Sequence, residues 1–284
     1  MEFYREEALD DHFYRISDIA GTCMYLLIGS ESALLVDCGA GCGSPAEFVR
    51  RLTGRPLRAL ITHGHVDHAM GAGAFGPEVP IHMNPADRDI YLEHSDSSVR
   101  QDFVARAATK AGLPLEMLLP LCPVRPVEQL LELQPGDTFD VGGEVVEVLP
   151  GAGHTHGCVT LLFRRRRMLL LGDACNPNTF LFDTYSLPVS RYRQTLLALR
   201  EQARGRYDRV LLCHGSGDGE PNLIDSALWL CDAILEGRDA QFPCTPMGKP
   251  ALSAKRIAPG AQFAQGDIGD HSSANILYSD FTCK

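Results

Sequence analysis

Residues 63–68 read His-Gly-His-Val-Asp-His, three imidazoles and one carboxylate within six positions, directly after the apolar run 57–61. Packing does not explain such a cluster. Ionisable groups that close compete for solvation unless a positive charge organises them, and a divalent cation does so. Further along, three apolar runs end in residues able to hold the same kind of ion. The run 145–149 leads through Pro-Gly-Ala-Gly to His154, the run 168–171 through Gly172 to Asp173, and the run 210–213 directly to His214. Each stands where a strand pattern gives way to a loop, the usual place for functional side chains. The candidate set is therefore His63, His65, Asp67, His68, His154, Asp173 and His214. Seven ligands exceed the four of one tetrahedral zinc and suit two divalent metal ions sharing a bridge. Imidazoles and carboxylates without a thiolate point to zinc first, with iron or manganese as alternatives, rather than to a closed structural zinc site.

The elements that must hold these residues follow from hydropathy patterning. Residues 23–37 read as two short strands around a polar turn, and 57–61, 81–83, 139–141, 145–149, 158–163, 168–171, 210–213 and 275–278 as further strands. Helical spacing appears at Phe48, Val49 and Leu52, at Tyr192, Leu196, Leu199 and Ala203, and at Leu223, Ala227, Leu230 and Ile234. Residues 86–119 change character: Val99, Phe103 and Ala107 recur every fourth position with Asp96 or Ser97 as cap, and 113–119 stays helix-compatible. This stretch reads as a helical insertion within a single domain spanning residues 1–284, with a C-terminal tail from about 254 to 284. Strands alternating with helices give an α/β class.

Composition narrows the function classes. Of 284 residues, 45% are hydrophobic and 22% charged, which excludes a disordered or fibrous chain. The net charge of −10 argues against nucleic acid as partner, because such binders need a basic face. Arg164–Arg167 accordingly reads as a solvated hairpin turn between two buried strands. The acidic start MEFYREEALDD is no signal peptide, and no apolar run is long enough to span a membrane. Ten cysteines without a C-x-x-C pair read as buried thiols in a reducing, cytoplasmic setting, and Cys38 with Cys42 is weak evidence for metal.

The cluster His63-x-His65-x-Asp67-His68, with Gly153-His154-Thr155, Gly157, Gly172-Asp173 and Cys213-His214-Gly215, resembles the motifs of the metallo-β-lactamase superfamily. Val36-Asp37-Cys38-Gly39 resembles its first motif, in which the Asp supports the site from behind the ligands. The resemblance spans residues 36–215. It implies an αβ/βα four-layer sandwich: two mixed β-sheets, outer helices, and metals at one sheet edge. It assigns His63, His65 and His154 to one ion, Asp67, His68 and His214 to the other, and Asp173 to both. Two ions at about 3.5–4 Å can lower the pKa of a shared water towards neutrality and make a bridging hydroxide available as nucleophile. Asp67 could orient that hydroxide, and Asp37 would hold a ligand in place.

Within the superfamily the seven ligands are closest to the pattern of glyoxalase II (hydroxyacylglutathione hydrolase) and N-acyl homoserine lactonases. His68 and Asp173 argue against a β-lactamase of the commonest type, and His65 against the oxygen-reducing diiron members. The implied activity is hydrolysis of an ester, thioester or lactone acyl bond in a small-molecule substrate. The alternatives are a mononuclear iron persulfide dioxygenase, using the equivalents of His63, His154 and Asp173, and a phosphodiesterase. The 86–119 stretch, with Phe180, Phe182 and Tyr185, is the candidate substrate wall, and His156 is expected to face solvent. Arg238, Lys249, Lys255 and Arg256 are candidate contacts for an anionic substrate such as a glutathione thioester.

Overall fold

The computed structural model describes residues 3–259, 261 and 273–283. The chain divides into two compact units, Met1–Val146 with Cys213–Gly217, and Glu147–Leu212 with Asp218–Lys284. In the first, seven strands form one sheet in sequence order: β1 (Tyr4–Asp10), β2 (Phe13–Asp18), β3 (Cys23–Ile28), β4 (Ala33–Val36), β5 (Leu57–Ile61), β6 (Ile81–Met83) and β7 (Leu131–Glu132). From β1 to β4 neighbours pair antiparallel, and from β4 to β7 parallel. Parallel neighbours need crossovers, and here the crossovers carry the helices. α1 (Pro45–Leu52) starts on the Ser44 hydroxyl, which accepts the Glu47 amide at 3.4 Å. α2 (Val66–Ala69) follows β5, and α3 (Arg88–His94) and α4 (Ser97–Ala111) fill the crossover after β6. A short β8 (Thr138–Asp140) comes last in this unit. Ile16, Met24, Leu26, Leu35, Ile61, Phe48 and Met70 belong to its main core.

β1 and β2 are strands that the acidic N-terminus conceals. In β1 Tyr4 is buried while Arg5, Glu6, Glu7 and Ala8 are exposed, as befits a charged edge that discourages further pairing. α4 forms with Asp96 as its cap, but its most buried stripe is Arg100, Val104 and Ala108, one position on from Val99, Phe103 and Ala107. Arg100 is charged yet buried: its guanidinium donates to the Cys122 carbonyl at 2.7 Å, which permits burial. Beyond Gly112, which ends α4 in the left-handed region, residues 115–118 make only a short 3-10 turn, and Pro114 and Pro120 bracket it.

The second unit contains β9 (Val145–Pro150), β10 (Val159–Phe163), β11 (Met168–Leu170), β12 (Thr179–Leu181), α5 (Val189–Ala203), β13 (Arg209–Leu211), β14 (Asp218–Gly219), α6 (Leu223–Leu235), β15 (Phe242–Cys244), β16 (Ala251–Ser253) and β17 (Ile276–Tyr278). Its larger sheet is mixed and runs β14-β13-β11-β10-β9, with β13 parallel to β11 and β10 antiparallel to β11. The four arginines form the β10–β11 turn, where Arg164 pairs with Glu147 and Arg167 with Asp208. Tyr192, Leu196, Leu199 and Ala203 of α5 and Leu223, Ala227, Leu230 and Ile234 of α6 are all buried in one core, on the faces their spacing marks. A smaller sheet, β12-β17-β16-β15, is an addition to the two that were expected. Its strands are three residues each, too short to show a period, and β15 contains Pro243. Of the tail, residues 260, 262–272 and 284 lie outside the described residues. No helix among the described residues is long and apolar enough to cross a membrane.

Candidate metal centre

In the first unit β5 ends at Ile61, and the chain turns through Thr62-His63-Gly64 into α2, whose N-cap is His65. Asp67 and His68 lie in its first turn. Asp37, which follows β4 at φ +62°, is fully buried beside this turn. One of its carboxylate oxygens accepts the Thr62 amide at 2.7 Å. The other accepts the Thr62 hydroxyl at 3.0 Å and stands 2.8 Å from Nδ1 of His68. The Cys213 thiol lies 3.5 Å from the same oxygen. With its Nδ1 proton directed to Asp37, His68 presents an unprotonated Nε2. That Nε2 is 3.3 Å from Nε2 of His214 and 3.6 Å from Oδ2 of Asp67, and Asp67 Oδ2 is 3.4 Å from His214 Nε2. His63 Nε2 and His65 Nδ1 face each other at 3.0 Å.

These separations test the metal reading. Two nitrogens each about 2.0–2.1 Å from one ion, at angles of about 95–110°, stand about 3.0–3.4 Å apart. Both imidazole pairs fall in that range, and Asp67, His68 and His214 have ligand atoms within 4.8 Å of one another. The donor set fits a divalent ion. His214 is the open side, its side chain 40% exposed, whereas that of His68 is fully buried.

Three supporting residues had no signal in the sequence. Thr22 donates its hydroxyl to Asp67 Oδ2 at 3.3 Å and forms a β-bridge with His214, while the Cys23 amide donates to the Cys213 carbonyl at 2.7 Å. The β2–β3 turn thus carries both His214 and Asp67. Asp18 fixes that turn by accepting the Thr22 amide at 2.9 Å, and burial pushes its carboxyl up to about 6. His94 of α3 stacks on His65, with ring centroids 4.9 Å apart and planes 19° from parallel. None of the three stands in a motif: Thr22 and His94 arrive by long-range contacts, and Asp18 acts through the local turn that holds Thr22.

In the second unit the loop after β9 brings His154 to 6% exposure. Its Nδ1 is 2.9 Å from the Phe180 carbonyl, an acceptor only, so Nδ1 is the protonated nitrogen and Nε2 keeps the lone pair that could hold a metal. That Nε2 lies 3.9 Å from Oδ2 of Asp173. Gly153 is required here: a Cβ would stand 2.1 Å from the Tyr192 ring. The Tyr192 hydroxyl donates to the Ala174 carbonyl at 2.8 Å, so one residue of α5 supports the loops of both His154 and Asp173. Phe182 is buried with Ala251 and Leu277, with Phe180 packed against that cluster and 5.1 Å from Phe182 between ring centroids. Tyr185 is half-buried and His156 is exposed, the latter as expected.

None of the ten cysteines is in a disulfide. Burial pushes the Cys42 and Cys175 thiols up to about 12, and Cys38 well above the usual range, which removes them as thiolate nucleophiles.

A family model described as the metallo-β-lactamase superfamily matches residues 19–214. The chain is similar to a Gallus gallus protein named acyl-coenzyme A thioesterase MBLAC2, 27% identical over an alignment of 216 residues that covers 72% of this chain and 76% of that protein. It is also similar to the solved structure of the metallo-β-lactamase FIM-1 from Pseudomonas aeruginosa in its mono-zinc form, at TM-score 0.58 and 14% identity, covering 81% of this chain and 95% of that one. A third likeness is to the stereoselective inverting sec-alkylsulfatase Pisa1 from Pseudomonas sp., at TM-score 0.62 and 12% identity over 82% of this chain. There the chain spans only 42% of the solved structure's length. The fold shared with these structures is the αβ/βα sandwich expected from the motifs.

Proposed function

The chain belongs to the metallo-β-lactamase superfamily, and we propose that within it the protein is a metal-dependent hydrolase that cleaves the acyl bond of a small-molecule thioester, with acyl-CoA the first candidate class. The observation that carries the reading is the Asp67–His68–His214 cluster, with His68 held by Asp37 so that Nε2 faces its fellow ligands. The relatives named as acyl-coenzyme A thioesterases support the choice of thioester over lactone or simple ester. The proposed centre has His63, His65 and His154 for one divalent ion, Asp67, His68 and His214 for a second, and Asp173 for both, with zinc first among the metals. Held there, the ions would supply hydroxide at neutral pH and Lewis acidity towards the acyl oxygen.

The chain's own residues do the rest. Asp67, steadied by the Thr22 hydroxyl, orients the attacking oxygen through a hydrogen bond. Asp37 and the Phe180 carbonyl hold His68 and His154 in the tautomers that present Nε2. Phe180 and Tyr185 are the proposed contacts to the acyl group, with Phe182 packed against Phe180. The whole chain would act as a single catalytic domain, without nucleic acid or membrane as partner. Its free thiols support a cytoplasmic setting.

Metal content of the purified protein, combined with rates on acyl-CoA and glutathione thioesters, lactones and bis(p-nitrophenyl) phosphate, tests this reading. The expected result is two divalent ions per chain, thioester rates above the others, and loss of both metal and turnover in Asp173→Ala. One iron per chain with oxygen uptake on a persulfide, or phosphodiester cleavage above thioester cleavage, would overturn it.

A further inference from the structure

The stretch that interrupts the strand pattern after β6 touches the metal-ligand loop at three points. Asp87, 1% exposed, accepts the Gly64 amide at 2.8 Å. His94, seven residues on and half-buried, accepts the Val66 amide on Nδ1 at 3.0 Å. The His94 ring also lies flat on the ring of His65. The two amides flank His65 in the chain, so the backbone on both sides of that ligand is tied to α3 or to Asp87, its N-cap, and its ring to His94 of the same helix.

The tie is stiff at its far end. Ile90 and Tyr91 of α3 are each 1% exposed, and the Tyr91 hydroxyl donates to the Arg125 carbonyl at 2.7 Å. Gly64 lets α3 come this close, since a Cβ there would meet Ile90 Cγ2 at 2.8 Å and the Asp87 carbonyl oxygen at 3.0 Å. α2 has only four residues, and its N-cap, His65, makes no side-chain cap hydrogen bond. The Val66 amide is one of the donors that a helix start leaves without an intrahelical acceptor, and His94 takes it. Accepting on Nδ1 keeps the His94 proton on Nε2.

We propose that α3 is a positioning clamp for the metal-ligand loop, in which His94 caps α2 and sets the ring plane of His65 while Asp87 fixes the preceding turn. The proposal rests on the ligand assignment above for its link to metal, but the clamp itself is a property of the metal-free chain. His94 acts through His65 and α2 and is a positioning residue, not a catalytic one.

The test compares wild type, His94→Ala and His94→Asn as full chains, with zinc affinity from competition against a chromophoric chelator. Asparagine keeps an acceptor for the Val66 amide and loses only the ring. His94→Ala should weaken zinc binding by about 10–100-fold, the usual cost of removing a residue that orients a ligand, and His94→Asn should recover most of it. Hydrogen exchange across residues 62–70 of the metal-free proteins should accelerate in His94→Ala and stay near wild type in His94→Asn. Cobalt-substituted protein adds a spectroscopic check, since a rotated His65 shifts the d–d bands. Zinc affinity within twofold of wild type in His94→Ala with unchanged exchange overturns the clamp, as does an Asn variant no better than Ala. A wild-type protein that binds no metal would defeat the ligand assignment instead, and the exchange experiment would still decide the clamp.

Discussion

Asp37→Asn removes one charge and leaves the shape of the side chain almost unchanged, which makes it a sensitive probe of how the centre is held. The oxygen facing the Thr62 amide must remain an oxygen, because an NH2 group there would set two donors against each other in a fully buried position. The amide nitrogen therefore takes the other place, 3.0 Å from the Thr62 hydroxyl and 2.8 Å from Nδ1 of His68. It can only donate, so His68 must accept on Nδ1 and carry its proton on Nε2. That proton would point at the ring nitrogen of His214, 3.3 Å away, where the ligand lone pair is needed. A loss of about 10–100-fold in affinity at the Asp67–His68–His214 position follows, with little change in fold. Asp37→Ala behaves differently. It strands the Thr62 amide, the Thr62 hydroxyl and the His68 N–H, at about 1–3 kcal/mol for each buried unpaired donor, against a total stability of about 5–15 kcal/mol. Chelator competition and metal stoichiometry read the Asn variant, nitrogen-15 spectra of His68 read its tautomer, and urea unfolding reads the Ala variant. An Asn variant that binds both ions with wild-type affinity and keeps the His68 proton on Nδ1 would refute the reasoning.

Two further perturbations follow from single contacts. Gly153→Ala places a methyl group into the Tyr192 ring and should cost about 1–3 kcal/mol in urea unfolding, with weaker metal binding through His154; a variant as stable as wild type would show that the loop has room to move. Asp18 titrates at about 6 in the folded chain because burial disfavours its charge, so the native state holds a proton that the unfolded state releases at about pH 4. The stability it contributes is complete below pH 4 and is lost as pH rises through about 6, and metal-free Asp18→Asn should lack that slope.

The candidate ligand loop stands out in the sequence because its chemistry is local: six consecutive residues carry four donors, and β5 before them is a plain apolar run. His154, Asp173 and His214 stand out as candidates for a related reason, each just beyond an apolar strand. The roles of Thr22, His94 and Tyr192 do not, since what they do depends on partners distant in the chain: the spacing marks Tyr192 as a buried helix position but does not show its hydroxyl reaching Ala174, and Asp18 acts only through the turn that it holds for Thr22. Arg100 shows the limit from the other side. Its burial rests on the Cys122 carbonyl, 22 residues away, and no hydropathy pattern contains that information. The small sheet escaped because three-residue strands with a proline among them look like loop.

Three of the candidate imidazoles leave Nε2 unprotonated for a common reason, but with different acceptors. His68 gives its Nδ1 proton to a carboxylate, His154 to a backbone carbonyl, and His63 has Nδ1 3.1 Å from the Thr62 hydroxyl. That hydroxyl has one proton, and it goes to Asp37. Its lone pair is then left to accept from His63, so His63 too carries its proton on Nδ1. One buried carboxylate thus sets the tautomers of two histidines, His68 directly and His63 through Thr62. A carboxylate partner raises imidazole basicity more than a hydroxyl or a carbonyl does, so of the three His68 would be the strongest nitrogen donor to an ion. Backbone geometry at the Asp37 position, φ +62°, suits Gly best and, among residues with a side chain, Asn and Asp. Among those three, only Asp can accept at both oxygens at once, so the choice of residue is made by the proton chain and not by the turn.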